Sequence, residues 1–382
     1  MKTTPFRIDV DQSVLEDLRR RLAATRWPDS PHDAGWGLGT DLAFMRKLAD
    51  HWRERYDWRA QERALNAHPQ FTANVDGTDL HFVHVRGKGQ NPTPLLLIHA
   101  YPDSFYRFHK AIPFLTDPTA HGGDSGLSFD VVVPSLPGFG FSEHTSFGTD
   151  TIGDKLAALM KGLGYGRYIA GGGDGPIPIS MSHRHADHVI GIYTVDVGYP
   201  DGQTDFAALS APEAEFAQWI QGWWMREGAF NMIQSTKPQS LAFALNDSPV
   251  GLAAWLMILF ASLAPDKIQE RFTLDELITN AMIYWVTGTI GSSMRSYLET
   301  ARETYGNPAA APKPAKSPVP AAMARMPLDA PVPREWAERR VNLVQWTEPA
   351  RGGHHSSWEV PELFTDDLRR FAATLATRPN AG

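Results

Sequence analysis

Residues 168–178 read Tyr-Ile-Ala-Gly-Gly-Gly-Asp-Gly-Pro-Ile-Pro, and the fold is decided there. An apolar run enters a patch of small residues, one acidic side chain, Asp174, stands at its end, and glycine follows. A strand that turns sharply into a helix needs such small neighbours, and it pushes the residue at the bend up into a pocket. By itself Asp-Gly is a common turn, so the weight rests on what lies to either side.

Outward from this bend, short apolar runs alternate with helical stretches. Residues 94–100, 129–136, 168–173, 190–197 and 341–346 are expected to be buried strands, with a helix over 151–163 between two of them. Such alternation predicts an α/β protein with a mostly parallel sheet covered on both faces. Upstream, helices are expected over 12–25, capped by Asp11, and over 40–56, and a strand over 80–85. Residues 201–300 break the rhythm: they are helical in pattern, rich in Trp and Met, and contain no clear strand. They predict a cap inserted between two late strands, with the Pro/Ala stretch 307–322 as the returning linker. The divisions are thus 1–90, an N-terminal segment; 91–200, the first part of the core; 201–318, cap and linker; and 319–382, the rest of the core.

Three more features give Asp174 a chemical setting. His99 closes the strand at 94–100 in His-Ala-Tyr-Pro-Asp-Ser, where the backbone N–H of Tyr101, with that of Gly175, would hold an oxyanion. Gly352-Gly353-His354 follows the last strand, and Asp329 lies upstream of it. The chain order Asp174, Asp329, His354 is the nucleophile–acid–histidine order of α/β-hydrolases. A carboxylate attacks carbon to give an ester. Histidine then activates water against that ester, and Asp329 orients the imidazole. His183, His185 and His188 read as a helix face rather than a metal site, and His355 receives no role.

Composition narrows the classes. The net charge is −7 and no basic run occurs, which argues against a nucleic-acid or membrane partner. With 0 Cys, thiolate metal sites and a thiol nucleophile are excluded. The N-terminal stretch lacks an apolar run, so a soluble cytoplasmic protein is expected. The 12 Trp and 19 Phe suggest an aromatic-lined pocket, with Trp219, Trp223, Trp224, Phe230 and Trp255 as cap candidates.

On these residues the chain resembles the epoxide hydrolases of the microsomal and fungal type. The likeness is carried by residues 5–29, PFRIDVDQSVLEDLRRRLAATRWPD, the elbow Gly-Gly-Asp, the cap stretches 233–255 and 284–297, and Gly-Gly-His-His-Ser-Ser-Trp from Gly352. The resemblance implies an N-terminal segment wrapping an α/β-hydrolase core, a helical lid, no cofactor and no metal, a small-molecule substrate, and a homodimer. It also implies two lid tyrosines that hold the epoxide oxygen. Their expected positions are Phe230, which lacks the hydroxyl, and the neighbourhood of Pro318. The family pattern His-Gly-Trp-Pro-Gly-Ser is here His-Ala-Tyr-Pro-Asp-Ser, and Trp-Gly after the nucleophile is Gly175-Pro176. Tyr101, Tyr199 and Tyr284 are the candidate replacement donors, and Phe230, Trp224, Tyr284 and Tyr199 the expected substrate contacts. The expected reaction opens an apolar or aromatic epoxide to a vicinal diol. The alternative is cyclisation, elimination or lactone hydrolysis by the Asp174/His354 pair.

Overall fold

A computed structural model describes residues 1–31, 34–122, 127–202, 204–306 and 316–377. A nine-stranded sheet runs through it in the order β1-β2-β3-β5-β4-β6-β7-β8-β9. Strands β1 (Thr4–Phe6), β2 (Gln70–Val75) and β3 (Thr78–Val85) pair antiparallel, and β3 joins β5 (Phe129–Pro134) antiparallel. From β5 onward the sheet is parallel through β4 (Thr93–Leu97), β6 (Tyr168–Gly173), β7 (Val189–Thr194), β8 (Pro320–Ala324) and β9 (Asn342–Thr347). All residues of β5 and β6 are buried, as expected for strands covered on both faces.

Four elements escaped the sequence pattern. β1 and β2 extend the sheet, and a short helix, α3 (Trp58–Leu65), follows α1 (Gln12–Ala23) and α2 (Leu42–Glu54). The fourth is β8. Residues 307–315 of the expected linker lie outside the described residues, but its last residues, from Pro320, already form this strand. Alanine has little strand propensity, so composition points to a linker; burial between β7 and β9 overrides it.

The expected cap is helical: α7 (Ala211–Glu227), α8 (Ala229–Thr236), α9 (Pro238–Leu245), α10 (Pro249–Ala261), α11 (Ile268–Arg271), α12 (Leu274–Thr287) and α13 (Ile290–Tyr305). Capping boxes at Ser210/Glu213 and Thr273/Glu276 set where α7 and α12 begin. Among the described residues no single helix is long and apolar enough to cross a membrane.

The N-terminal helices grip the middle of this cap. Arg21 pairs with Asp247 at 2.7 Å, the Thr40 hydroxyl donates to the Ala254 carbonyl at 2.6 Å, His51 bonds Asp275 at 2.6 Å and Tyr56 meets Thr279 at 3.0 Å. A second fastening joins cap to core, where Arg271 of α11 pairs with Glu359 at 2.9 Å and both side chains are buried.

Candidate active site

The parallel strands end on one side of the sheet, and the polar side chains converge there, as ligand sites in open α/β sheets do. Asp174 leaves the end of β6 directly before the helix Pro176–Arg184. The bend demands small residues: a Cβ on Gly175 would stand 2.5 Å from the Asp196 carbonyl oxygen, and Gly172 adopts φ 117°. Among the described non-glycine residues only Asp76 has a positive φ, so Asp174 itself occupies ordinary backbone space.

His354, after β9, reaches both expected carboxylates. Its Nε2 lies 2.7 Å from Asp174 Oδ1 and its Nδ1 lies 3.0 Å from Asp329 Oδ2. The parallel bridge between Leu328 and Gly353 holds the two loops side by side. Burial by itself would lower the imidazole's pKa, but Asp174 and Asp329 raise it well above the usual histidine range. Burial would likewise raise Asp174, yet the His354 cation, with Arg107 nearby, holds it well below the usual carboxylate range. The resting site is therefore a carboxylate–imidazolium pair.

The loop opposite is organised by Asp103. Its Oδ1 accepts the Ala100 N–H at 2.8 Å, and its Oδ2 accepts from the fully buried Arg107 at 2.6 Å. Arg107 also donates to the His354 carbonyl oxygen, linking this loop to the histidine loop. His99 Nε2 accepts the Leu136 N–H at 3.0 Å. The Tyr101 N–H has no acceptor among the described residues, while the Gly175 N–H meets Asp196 Oδ2 at 3.4 Å. Of the two expected oxyanion donors, Tyr101 lines the cavity beside Asp174, whereas Gly175 does not and its N–H is already engaged by Asp196.

Above the carboxylates lies a cavity of about 470 Å³, a volume suited to a small organic molecule. Trp223, Trp224 and Phe230 form its roof with Tyr297, and Tyr199 and Tyr101 stand at its sides. Trp224 stacks on Phe230 at 6.2 Å, and the Tyr297 ring meets the Phe230 ring edge-on at 6.2 Å.

Several expectations are corrected. Tyr284 does not reach the cavity: it is buried and its hydroxyl donates to the Asp103 carbonyl at 2.7 Å, a structural bond. Trp255 and Trp219 do not line it either; the Trp255 indole donates to Gln234, and Trp219 borders a separate surface groove. Pro318 is exposed at the start of β8, away from the cavity. A tyrosine does line the cavity from another place, Tyr297 on α13, whose phenol stays protonated through burial and the charge of Asp174. Its hydroxyl has no hydrogen-bond partner among the described residues. The signal was present within the quoted stretch 284–297, whose final residue is this tyrosine. Sequence reasoning also missed Asp196, at the end of β7, whose 4% exposure leaves it buried beside Asp174. His185 bonds Asp154 at 2.8 Å and His188 bonds the Gly166 carbonyl at 2.8 Å, so each already has another partner. One cluster with metal-ligand character occurs among the described residues, Asp174, Asp196 and His354.

A carboxylate at the sharp strand-to-helix bend, an imidazole bonded to it, and a second acid behind that imidazole, all at the strand ends of this sheet, mark an α/β-hydrolase enzyme. Comparison with known proteins agrees at the level of class and narrows it. The epoxide hydrolase N-terminus family matches residues 3–108, and the alpha/beta hydrolase fold family matches residues 93–253. The chain is 38% identical over 376 residues to a Stigmatella aurantiaca (strain DW4/3-1) protein assigned as an epoxide hydrolase, spanning 96% of this chain and 84% of that one. It is 34% identical to epoxide hydrolase 1 of Sus scrofa, spanning 97% of this chain and 88% of that protein. Juvenile hormone epoxide hydrolase of the silkworm Bombyx mori superposes with TM-score 0.84 at 26% identity, over 98% of this chain and 94% of that one. Aspergillus niger epoxide hydrolase gives TM-score 0.83 at 25% identity, over 98% and 97%. This chain belongs to the epoxide hydrolase family.

Proposed function

We propose that the protein opens an apolar or aromatic epoxide to a vicinal diol through an ester on Asp174. The observation that carries the reading is the imidazole of His354, 2.7 Å from Asp174 and 3.0 Å from Asp329, beneath an aromatic-roofed cavity.

In the first half, an Asp174 oxygen attacks a ring carbon and the C–O bond on its far side breaks. Back-side displacement points the departing oxygen away from Asp174, toward the roof, where the Tyr297 hydroxyl donates to it. Protons balance. The pair begins as carboxylate and imidazolium; once Asp174 is a neutral ester, the nearest negative charge supporting the imidazolium against burial is gone. The His354 pKa falls: its proton passes to water, the alkoxide takes a proton from the Tyr297 hydroxyl, which water re-protonates, and the neutral imidazole becomes a base. In the second half His354 takes a proton from water, and the resulting hydroxide adds to the ester carbon of Asp174. Backbone N–H groups at Tyr101 and Gly175 hold the oxyanion. Collapse releases the diol and restores the charged pair.

Because water attacks Asp174 rather than the substrate, a single turnover in ¹⁸O water should leave label in the Asp174 carboxylate, read by peptide mass spectrometry. An unlabelled carboxylate with labelled diol would refute the ester. Tyr297 removes the main ground for the alternative, cyclisation, elimination or lactone hydrolysis, which rested on a roof without a donor. The homodimer belongs to the same reading through family resemblance; light scattering on the purified chain tests it.

A further inference from the structure

Asp196 is the buried acid that the steps above leave idle. It stands just past β7, with Oδ1 accepting the Gly198 N–H at 2.9 Å and Oδ2 facing the Gly175 N–H at 3.4 Å. One oxygen each of Asp196 and Asp174 and one nitrogen of His354 lie within 4.8 Å of one another. Two carboxyls this close, away from bulk water, do not both ionise cheaply. The charged and titratable groups facing Asp196 are Asp174 from the elbow, His354 and Asp329 from the loops after β9 and β8, and Tyr199 from its own loop. Burial, and then the charge of Asp174, push Asp196 up to about 7 against the opposing His354 cation. Asp174 is held low in part by a hydrogen bond with Asp196. When this carboxyl pair holds one proton, that proton therefore belongs to Asp196 rather than Asp174.

We infer that Asp196 is a third donor of the oxyanion hole, its carboxylic O–H bonding the Asp174 oxygen that becomes the oxyanion when water adds to the ester. The inference rests on the Asp174-ester reading and concerns its second half. Asp196 is badly placed to protonate the departing epoxide oxygen, because in-line displacement sends that oxygen toward the roof, whereas Asp196 sits beside the elbow amide. No proton changes hands. The hydrogen bond strengthens as negative charge gathers on the Asp174 oxygen and relaxes as the tetrahedral species collapses to carboxylate and diol. An ionised Asp196 would do the opposite: it would occupy the Gly175 N–H and set like charge against the oxyanion. Ester hydrolysis should therefore slow as pH rises through the Asp196 titration, while ester formation is less affected.

The test is rapid-quench single turnover of the full chain with a small aryl epoxide such as styrene oxide, following alkyl-enzyme formation and decay from pH 6 to 9. Wild-type decay should fall on the alkaline side. Asp196→Ala should slow decay by about 10²–10³-fold, the usual cost of one oxyanion donor, with ester accumulating. Asp196→Asn, near-isosteric and still an N–H donor, should decay within about tenfold of wild type at neutral pH, without the alkaline fall. Ala decay at the wild-type rate, Asn as slow as Ala, or an Asn profile that keeps the alkaline fall would each overturn the inference. If the Ala variant does not fold, the Asn profile decides alone. His354→Gln is the control: it should trap ester, and its failure to do so would count against the Asp174 reading itself rather than against Asp196.

Discussion

The two walls of the cavity are built on opposite principles. The lower wall, at the strand ends, is polar and cross-linked: Asp174, Asp329, His354, Asp103 and Arg107 are tied into one continuous set of ion pairs and hydrogen bonds. The upper wall is aromatic, with Trp224, Phe230 and Tyr297 in contact mainly through their rings and one hydroxyl among them. Groups that bear charge during the reaction must be held rigidly, since hydrogen bonds that reorganise at the transition state give up much of their benefit. Groups that contact an apolar substrate need shape, which ring packing supplies with looser tolerance. Change in the lower wall should therefore abolish turnover, and change in the upper wall should grade it.

The largest expected effect is at Asp174, the proposed nucleophile. Asp174→Ala should lower kcat by about 10⁴–10⁶, as loss of a triad member does elsewhere; steady-state diol formation measures it, and a loss under tenfold would erase the contrast between the walls. Next comes the single polar group above: Tyr297→Phe should cost about 10²–10⁴ in kcat with little change in melting temperature. A Phe variant with wild-type kcat would move the leaving-group donor to Tyr101 or Tyr199. Third is the fastening between walls. Arg271→Met leaves Glu359 buried without its partner and should destabilise folding by about 3–5 kcal/mol in urea titration; a change below 1 kcal/mol would mean that the pair is not in place in solution. Fourth, Phe230→Tyr adds a second hydroxyl to the roof and should shift kcat/KM by less than about tenfold. A much larger gain would show that one donor leaves the departing oxygen under-served. Smallest is Tyr284→Phe, which removes the bond to the Asp103 carbonyl; about 1 kcal/mol of stability and near-normal kinetics are expected. A collapse in kcat would restore Tyr284 to the site.

The same division governs what could be read from the chain alone. The lower wall is written locally: Gly-Gly-Asp-Gly, Gly-Gly-His and the order of the acids each name a strand end, and the structure brings all three side chains together. Asp196 also follows a strand, but nothing in Thr-Val-Asp-Val-Gly marks it, because its significance is its distance from Asp174. The upper wall is assembled from several helices, and every cap helix but α11 carries aromatics. Which of them face the cavity depends on helix rotation and packing, so Trp223, Trp224 and Phe230 are found there while Trp219, Trp255 and Tyr284 face elsewhere. Tyr297 stands on α13, whereas the family pattern points to the Pro/Ala stretch for the second tyrosine. β8 was hidden by its composition.

The hold of the first helices on the cap has a consequence for motion. Arg21, Thr40, His51 and Tyr56 reach residues 247–279, more than 200 positions away along the chain. Among the described residues, no hydrogen bond or ion pair from these helices reaches α7 or α8, where Met225 is 85% and Met232 67% exposed. The cap is thus strapped to the N-terminal segment along one flank, while α7 is tied to the core only near its start, where Arg339 meets the buried Glu213 at 2.6 Å. Opening that admits substrate is therefore expected between these two ties, at the far end of α7 and in α8, where Trp224 and Phe230 stand, so that the residues shaping the pocket would also swing its door.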